Sequence, residues 1–242
     1  MAEVRCIFPD KKIIQTYIGK VDYDYLVFAA GATTNYYGNK HIAEEAMPMK
    51  NVAEAMGLQN AILANLERSI TCATDKERQE LLNFVIVGGG ATGVEIAGVL
   101  SEMKKSIIPH DYPEMDDSLI NIYLIEASSK LLSAMSPAAS QKAEEFLRRM
   151  GVNILLNKKV MDYKDHKGIL QDGSEIATRT FTWVSGIAGV SITNMDPSMI
   201  GQGGRIKVDT FNRVAVMENV FSIGDQFIMS GVEAFPEGHP QL

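Results

Sequence analysis

The stretch FVIVGGGATGVEIAG, residues 84–98, limits what this chain can become more than any other. Four strand-forming residues run into three consecutive glycines, and the turn opens into an apolar, helix-compatible run. The surrounding residues 81–100 are almost wholly apolar, and about 20 such residues would cross a bilayer. Glu95 would then sit near mid-membrane at roughly 2.5–3.5 kcal/mol. Glycines at 88, 89, 90, 93 and 98 also break any uniform helix. The run therefore reads as a buried strand, a tight turn and a packed helix.

The remaining chain supplies partners for that unit. Short strands are expected at 4–7 and 12–17 around the turn Pro9–Lys11, and a third at 24–30, ending in Gly31. Val52, Ala55, Met56, Ile62, Leu63, Leu66 and Ile70 recur at three- and four-residue spacings, which predicts a helix over 51–73. The charged stretch TDKERQE reads as a linker to the strand at 83–87. After the turn a helix should run over 91–106, and IIPHDYPEMDDS, with two prolines and several acids, reads as an irregular insertion at 107–118. A strand at 121–126 follows. Ser136-Pro137 suits a cap and first helical position, and Gly151 suits the helix end. Strands at 153–156, 159–163 and 168–171, the tight-turn pair Asp172-Gly173 and a strand at 180–185 complete the pattern. The order predicts an α/β fold, a Rossmann-like parallel sheet with helices on both faces plus an antiparallel hairpin.

Composition narrows the function classes. Of the 242 residues 46% are hydrophobic and 22% charged, the balance of a globular protein with a core. A formal net charge of −7 without a Lys/Arg cluster argues against nucleic acid as a partner. Cys6 and Cys72 form no CxxC motif, and His41, His110, His166 and His239 lack ligand spacing, so no metal site is expected. The opening MAEVRCIFPD has no apolar core of a secretory signal, which makes the cytoplasm the expected compartment.

The turn itself carries chemistry. Gly88-x-Gly90-x-x-Gly93 follows a strand and opens a helix, the context a dinucleotide fingerprint requires. Gly88 permits the tight turn, Gly90 lets the backbone approach a pyrophosphate, and Gly93 lets helix and strand pack closely. The pyrophosphate would sit at the positive end of the helix, on the N–H groups near Ala91 and Thr92. Glu126 ends the next strand and is placed to bind a ribose 2′-hydroxyl. It lies further from the glycines than the usual ~20 residues, an excess the insertion at 107–118 absorbs. A carboxylate there repels a 2′-phosphate, so NADH is favoured over NADPH, although Lys130 adds a cation nearby. Tyr36-x-x-x-Lys40 imitates the catalytic pair of short-chain dehydrogenases but precedes the turn, the wrong order for that family. No GxxxxGK[ST] loop is present.

Three further stretches carry a resemblance. YDYLVFAAGATTNYYG (23–38) resembles the DYLVIATGS segment of flavoproteins with two dinucleotide-binding domains; TWVSGIAG (182–189) is similar to their crossover from the NAD domain; NVFSIGD (219–225) is similar to their second FAD motif. Within that superfamily of pyridine nucleotide-disulfide oxidoreductases, GGGATGVEIAGVLSEM, the insertion and IYLIEASSKLLSAMS most resemble type II (alternative) NADH dehydrogenases. The resemblance implies hydride transfer from NADH to FAD and electron transfer to a quinone acceptor. It implies Glu95 near the nicotinamide and flavin, Gly186 and Ala188 at the nicotinamide through backbone contacts, and Gly31 and Asp225 as flavin residues. Glu95 is flanked by Val94, Ile96 and Ala97, which weighs against a merely solvent-facing role.

That family begins with a GxGxxG for FAD ahead of everything seen here and continues past EGHPQL to a membrane-binding tail, so the expectation is an internal piece of a longer protein. Its expected division is 1–80 and 191–242 as parts of an FAD domain and 81–190 as the NADH domain. Peripheral membrane contact would come only through parts outside the sequence. A flavin domain lacking its first strands would leave sheet edges and apolar surface uncovered, which predicts self-association into a homo-oligomer. Two other readings stay open: a non-catalytic NADH-binding module, and another NADH oxidase or disulfide reductase of the superfamily, whose cysteine pair this sequence lacks.

Overall fold

The computed structural model describes residues 2–214 and 217–229; His239 and the end of the expected return segment lie outside them. The chain divides into two compact units, Tyr36–Gly186 and the pair Met1–Asn35 with Ile187–Leu242.

The unit of residues 36–186 is built on five parallel strands. Asn83–Val87 lies in the middle, flanked by Thr180–Trp183 on one side and Asn121–Ile125 on the other. Val152–Leu155 and Met47–Pro48 form the two edges. Every residue of the central strand is buried, as expected of a parallel strand covered on both faces. The two-residue period of the pleat sorts its side chains. Phe84 and Ile86 join Ile122, Leu124 and Ile154 against the helices Val52–Thr71, Ala91–Glu102 and Pro137–Arg149. Val85 and Val87 face the opposite way, with Ile125, Phe181 and Trp183. That second face is covered by the short helix Lys40–Glu45 and by an antiparallel sheet of Val160–Lys164, Lys167–Leu170 and Glu175–Ala177. The α/β class stands, and the expected hairpin at Asp172-Gly173 is present, extended into three strands.

Three local expectations change. TDKERQE forms the helix Asp75–Leu82, because Thr74 accepts a hydrogen bond from the Glu77 N–H and caps it. The helix after the glycine turn does not stop at 106: a π-helical turn at Met103–Ile107 and the helix Ile108–Asp111 carry it into the insertion. Pro109 falls in the first turn of that last piece, where its missing N–H is not needed. The expected boundaries at 80/81 and 190/191 also differ from the division at 35/36 and 186/187. Residues 36–80 join the sheet because Met47–Pro48 pairs with Thr182 and Trp183, and Leu58, Ile62 and Leu66 fill its core.

The other unit is assembled from small sheets. Val4–Phe8, Ile13–Thr16 and Gly19–Asp22 form an antiparallel meander. Leu26–Phe28 pairs in parallel with Val220–Ser222, Ile206–Val208 in parallel with Phe227–Met229, and Ala32–Thr34 antiparallel with Ile187–Gly189. Ile7, Phe28, Met195, Met199, Ile206, Val208, Val214 and Val220 make its core.

Candidate functional site

The sheet order places the glycine turn at a special point. Successive strands from Asn83–Val87 proceed to Asn121–Ile125 and Val152–Leu155 on one side, and the chain then returns to the other side with Thr180–Trp183. Ligands of open α/β sheets bind at such a reversal, outside the carboxyl ends of the strands. Gly88–Gly93 is the loop that leaves the central strand there.

The glycines answer three different constraints. Gly88 sits at φ +118°, and a Cβ on it would lie 2.7 Å from the Val184 carbonyl oxygen. Its N–H donates to the Ile125 carbonyl at 2.9 Å, which holds the turn to the next strand. A Cβ on Gly93 would lie 1.8 Å from the Gly88 carbonyl oxygen, so the helix crosses the turn at a distance only glycine allows. Gly90 is the opposite case. It is exposed, it is the N-cap of the helix Ala91–Glu102, and nothing lies within 4 Å of the position its Cβ would take. The N-cap has no side chain to satisfy the first-turn N–H groups, which is the arrangement of an anion site at a helix start. Ala91 is exposed and Thr92 half-buried beside it.

Glu126 is tied to this turn. Its Oε2 accepts from the Gly89 N–H at 2.6 Å and its Oε1 from the Ser128 N–H at 2.7 Å. Gly89 was not singled out by the sequence, yet a Cβ there would meet Leu131 at 2.7 Å and Glu126 at 2.9 Å. The second of three consecutive glycines was the available signal. The carboxylate is thus held at the strand end, half-buried, next to the helix N-terminus.

Glu95 is exposed, while Ile96 and Ala97 are buried. Its apolar neighbours in sequence do not enclose it, because successive helix residues point about 100° apart. Gly186 closes the same unit at φ +150°, with the Tyr37 hydroxyl 2.5 Å from where its Cβ would be. That hydroxyl donates to the Ser185 carbonyl at 2.8 Å, a contact the sequence did not reveal. Tyr36 lies before the helix Lys40–Glu45, which Asn39 caps, so Tyr36 and Lys40 do not share a helix.

A cavity of about 440 Å³ opens at the same carboxyl ends, lined by Tyr37, Val87, Ile125, Ala127, Lys158 and Trp183 among others. Its walls adjoin Gly88, Glu126 and Gly186 by one residue each. A smaller cavity of about 220 Å³, beside Leu82 and Leu119, lies at the amino ends of the strands, away from the turn.

The remaining expected residues belong to the other unit. Gly31 sits at φ +71° with nothing within 4 Å of a would-be Cβ, and Gly224, just before the exposed Asp225, has the same openness at the same φ. Ala188 pairs with Thr33. Gln226, fully buried, accepts from the Ala30 N–H at 2.9 Å and donates to the Val190 carbonyl at 3.1 Å. One side chain, beside Asp225, thereby ties the backbone next to Gly31 to Val190, two residues beyond Ala188. Nothing in the sequence marked Gln226 for that task.

Comparison with known proteins adds to the geometry. The sequence profile described as pyridine nucleotide-disulphide oxidoreductase matches residues 3–239. The type II NADH:quinone oxidoreductase Ndh of Mycobacterium tuberculosis is 32% identical over 226 residues, which cover 89% of this chain and 48% of that protein. An external alternative NAD(P)H-ubiquinone oxidoreductase, B2, of Arabidopsis thaliana mitochondria is 32% identical over 212 residues, 85% of this chain and 36% of that one. The solved structure of NDH2 from Plasmodium falciparum in complex with NADH superposes with a TM-score of 0.84 at 25% identity, covering 94% of this chain and 50% of that one. The chain spans about half the length, or less, of the relatives it matches.

Proposed function

The chain belongs to the pyridine nucleotide-disulphide oxidoreductase family, and from that premise we propose that it is the NADH-binding portion of a type II, flavin-dependent NADH:quinone oxidoreductase. The observation that carries the reading is the contrast among three glycines. Gly88 and Gly93 are crowded to the limit, whereas Gly90 faces open space above an uncapped helix start. A fold that only needed a tight turn would not leave Gly90 bare. The pyrophosphate is bound there, on the N–H groups of Gly90, Ala91 and Thr92. The adenosine ribose hydroxyls meet Glu126, whose carboxylate Gly89 and Ser128 already orient. Within the same unit the nicotinamide end would meet the backbone of Gly186, with Glu95 near the reacting ring.

The flavin of this class fits the other unit's residues: open backbone at Gly31 and Gly224 lets a ligand approach where a Cβ would stand, and Gln226 holds both segments. Gly31 and Asp225 would hold FAD, which accepts a hydride and passes electrons on to quinone. The chain's own part is to orient the nicotinamide and exclude competing geometry; hydride transfer asks little acid–base chemistry of side chains. Cys6 and Cys72 are both free thiols, in different units, so neither supports disulfide-reductase chemistry. Among the described residues no helix is long and apolar enough to cross a membrane. The reading puts the whole protein on the cytoplasmic face of the quinone-bearing membrane, bound peripherally.

Calorimetric titration of the purified chain with NADH, with NADPH as comparator, tests the proposal. NADH binding that is selective and falls at least tenfold in Gly90→Val supports it. Binding of neither nucleotide, or NADH binding indifferent to Gly90→Val, removes it.

A further inference from the structure

Beside the ribose end of the proposed NADH site lies an ion pair, Lys158 with Asp172, that the glycine fingerprint does not include. Lys158 follows the strand Val152–Leu155, and its N–H donates to the Glu126 carbonyl at 3.0 Å. Asn157 donates likewise to the Ser128 carbonyl at 2.9 Å, so the loop bearing Lys158 is stitched to the loop bearing Glu126. Lys158 and Ala127 both line the cavity. A free ammonium at this place would meet a 2′-phosphate as readily as Glu126 repels one.

It is not free. Its Nζ is paired with Oδ2 of Asp172, at the tip of the hairpin. Asp172 is fixed in turn: its Oδ1 accepts from the Ser174 hydroxyl at 2.6 Å and from the Ser174 N–H at 3.1 Å. A carboxylate held from its own turn therefore draws the lysine to itself and adds a negative charge of its own.

Resting on the NADH reading above, we propose that Asp172 is a specificity-determining residue, which disfavours 2′-phosphorylated dinucleotides by withholding Lys158 from the ribose subsite at Glu126. The site then rejects the phosphate twice, once by Glu126 and once by the capture of Lys158 on the adjoining loop.

The experiment titrates wild type, Asp172→Asn, Lys158→Met and the double variant with NADH, NADPH and ADP-ribose. Asp172→Asn keeps an oxygen for the Ser174 bonds and removes the charge. Its NADPH affinity should rise about threefold to fivefold, the scale of one half-exposed charge pair, with NADH and ADP-ribose unchanged within about twofold. The gain should vanish in the double variant, since Lys130 and Lys159 are common to all four proteins and the cycle isolates Lys158. Should Asp172→Asn fold poorly, Asp172→Ser offers the same turn oxygen and carries the same expectation. An unchanged NADPH:NADH ratio, or a gain that survives Lys158→Met, overturns the inference while ADP-ribose and NADH binding leave the NADH reading standing. Loss of all three ligands in wild type removes both together.

Discussion

The two units solve the same problem with unequal means. In residues 36–186 five parallel strands are covered by helices on one face and by a short helix and an antiparallel sheet on the other, and the central strand is buried along its whole length. In the other unit the parallel pair Leu26–Phe28 and Val220–Ser222 is widened by an antiparallel bridge from Arg213 to Phe221, and Val27 is 50% exposed. Tyr17, Ile18, Tyr25 and Phe211 of that unit are exposed as well. Parallel strands are stable when both faces are covered. The difference teaches where the two proposed sites get their precision. The NADH turn is local: Gly88, Gly90, Gly93 and Glu126 belong to one strand–helix–strand passage, held by contacts of fixed length. The flavin-side residues Gly31, Ala188 and Asp225 come from distant stretches, gathered by the pairing of Ala188 with Thr33 and by the side chain of Gln226.

The sharpest way to break this comparison is at Gly93. A methyl group 1.8 Å from the Gly88 carbonyl must push the helix off the strand, so Gly93→Ala should destabilise residues 36–186 by about 3 kcal/mol or more. Gly90→Ala should stay within about 1 kcal/mol, because its Cβ meets nothing. Urea unfolding followed by Trp183 fluorescence reads both. Equal losses at the two positions would mean that the turn is softer than its contacts say.

Alkali provides the next largest effect. Burial pushes the Tyr163 hydroxyl up from 10.0 to about 12, and its ring stacks on Phe181 with centroids 4.2 Å apart. The folded state keeps this proton longer than the unfolded state does. The stabilisation is complete below pH 10 and is lost as pH rises towards 12, roughly 2–3 kcal/mol at most. Tyr163→Phe should flatten that alkaline decline while losing the bond to the Thr178 carbonyl. A decline of the same depth in the variant would assign it elsewhere, Tyr23 in the other unit being also raised by burial.

A matched pair then measures the units against each other. Val85 and Val220 are 0% and 3% exposed, and both sit on parallel strands. Truncation leaves a cavity whose cost depends on how far the surroundings collapse. Val85→Ala, enclosed between two flanking strands, should lose about 2–3 kcal/mol; Val220→Ala, in a small sheet whose neighbouring strand carries the half-exposed Val27, about 1 kcal/mol. Equal losses by calorimetry would show that the smaller unit is packed as rigidly as the larger.

Much of this was legible beforehand, and for a physical reason. Strand, glycine turn and helix between 83 and 102 obey local rules, and so does the Ser136–Pro137 helix start, whose hydroxyl accepts from the Ala139 N–H. Thr74 was legible too, since Thr-x-x-Glu is a capping signature; the charge of TDKERQE hid it. The apolar neighbours of Glu95 suggested an enclosure it does not have, because flanking residues in a helix face other directions and Glu95 is exposed. The short strands at Ala32–Thr34 and Ile187–Gly189 were not legible at all: each has three residues, and their pairing spans most of the chain. Gln226 and the Lys158–Asp172 pair escaped for the same reason, as partners set by tertiary folding rather than by spacing.

The smallest expected effect tests whether residues 36–46 belong with the sheet in solution. Asp162 on the strand Val160–Lys164 accepts from the Asn39 amide at 3.1 Å, from the His41 ring at 2.9 Å and from the Tyr163 N–H at 2.9 Å. Burial alone would raise its pKa, but these bonds outweigh burial and hold it below the ordinary 3.8. The folded state releases this proton more readily than the unfolded state does. The contribution is therefore complete at pH values above the ordinary carboxylate range and is lost as pH falls through the depressed folded value. With the His41 and Asp162 side chains 50% and 27% exposed, the contribution should be under about 1 kcal/mol. Asp162→Asn should lower stability at pH 7 by that amount and remove the corresponding part of the acid decline. Hydrogen exchange should localise the change to residues 39–46 and the antiparallel sheet. Opening that spreads instead into Asn83–Val87 would tie the short helix to the central strand, and the larger unit would then unfold as one body from its first residue to its last.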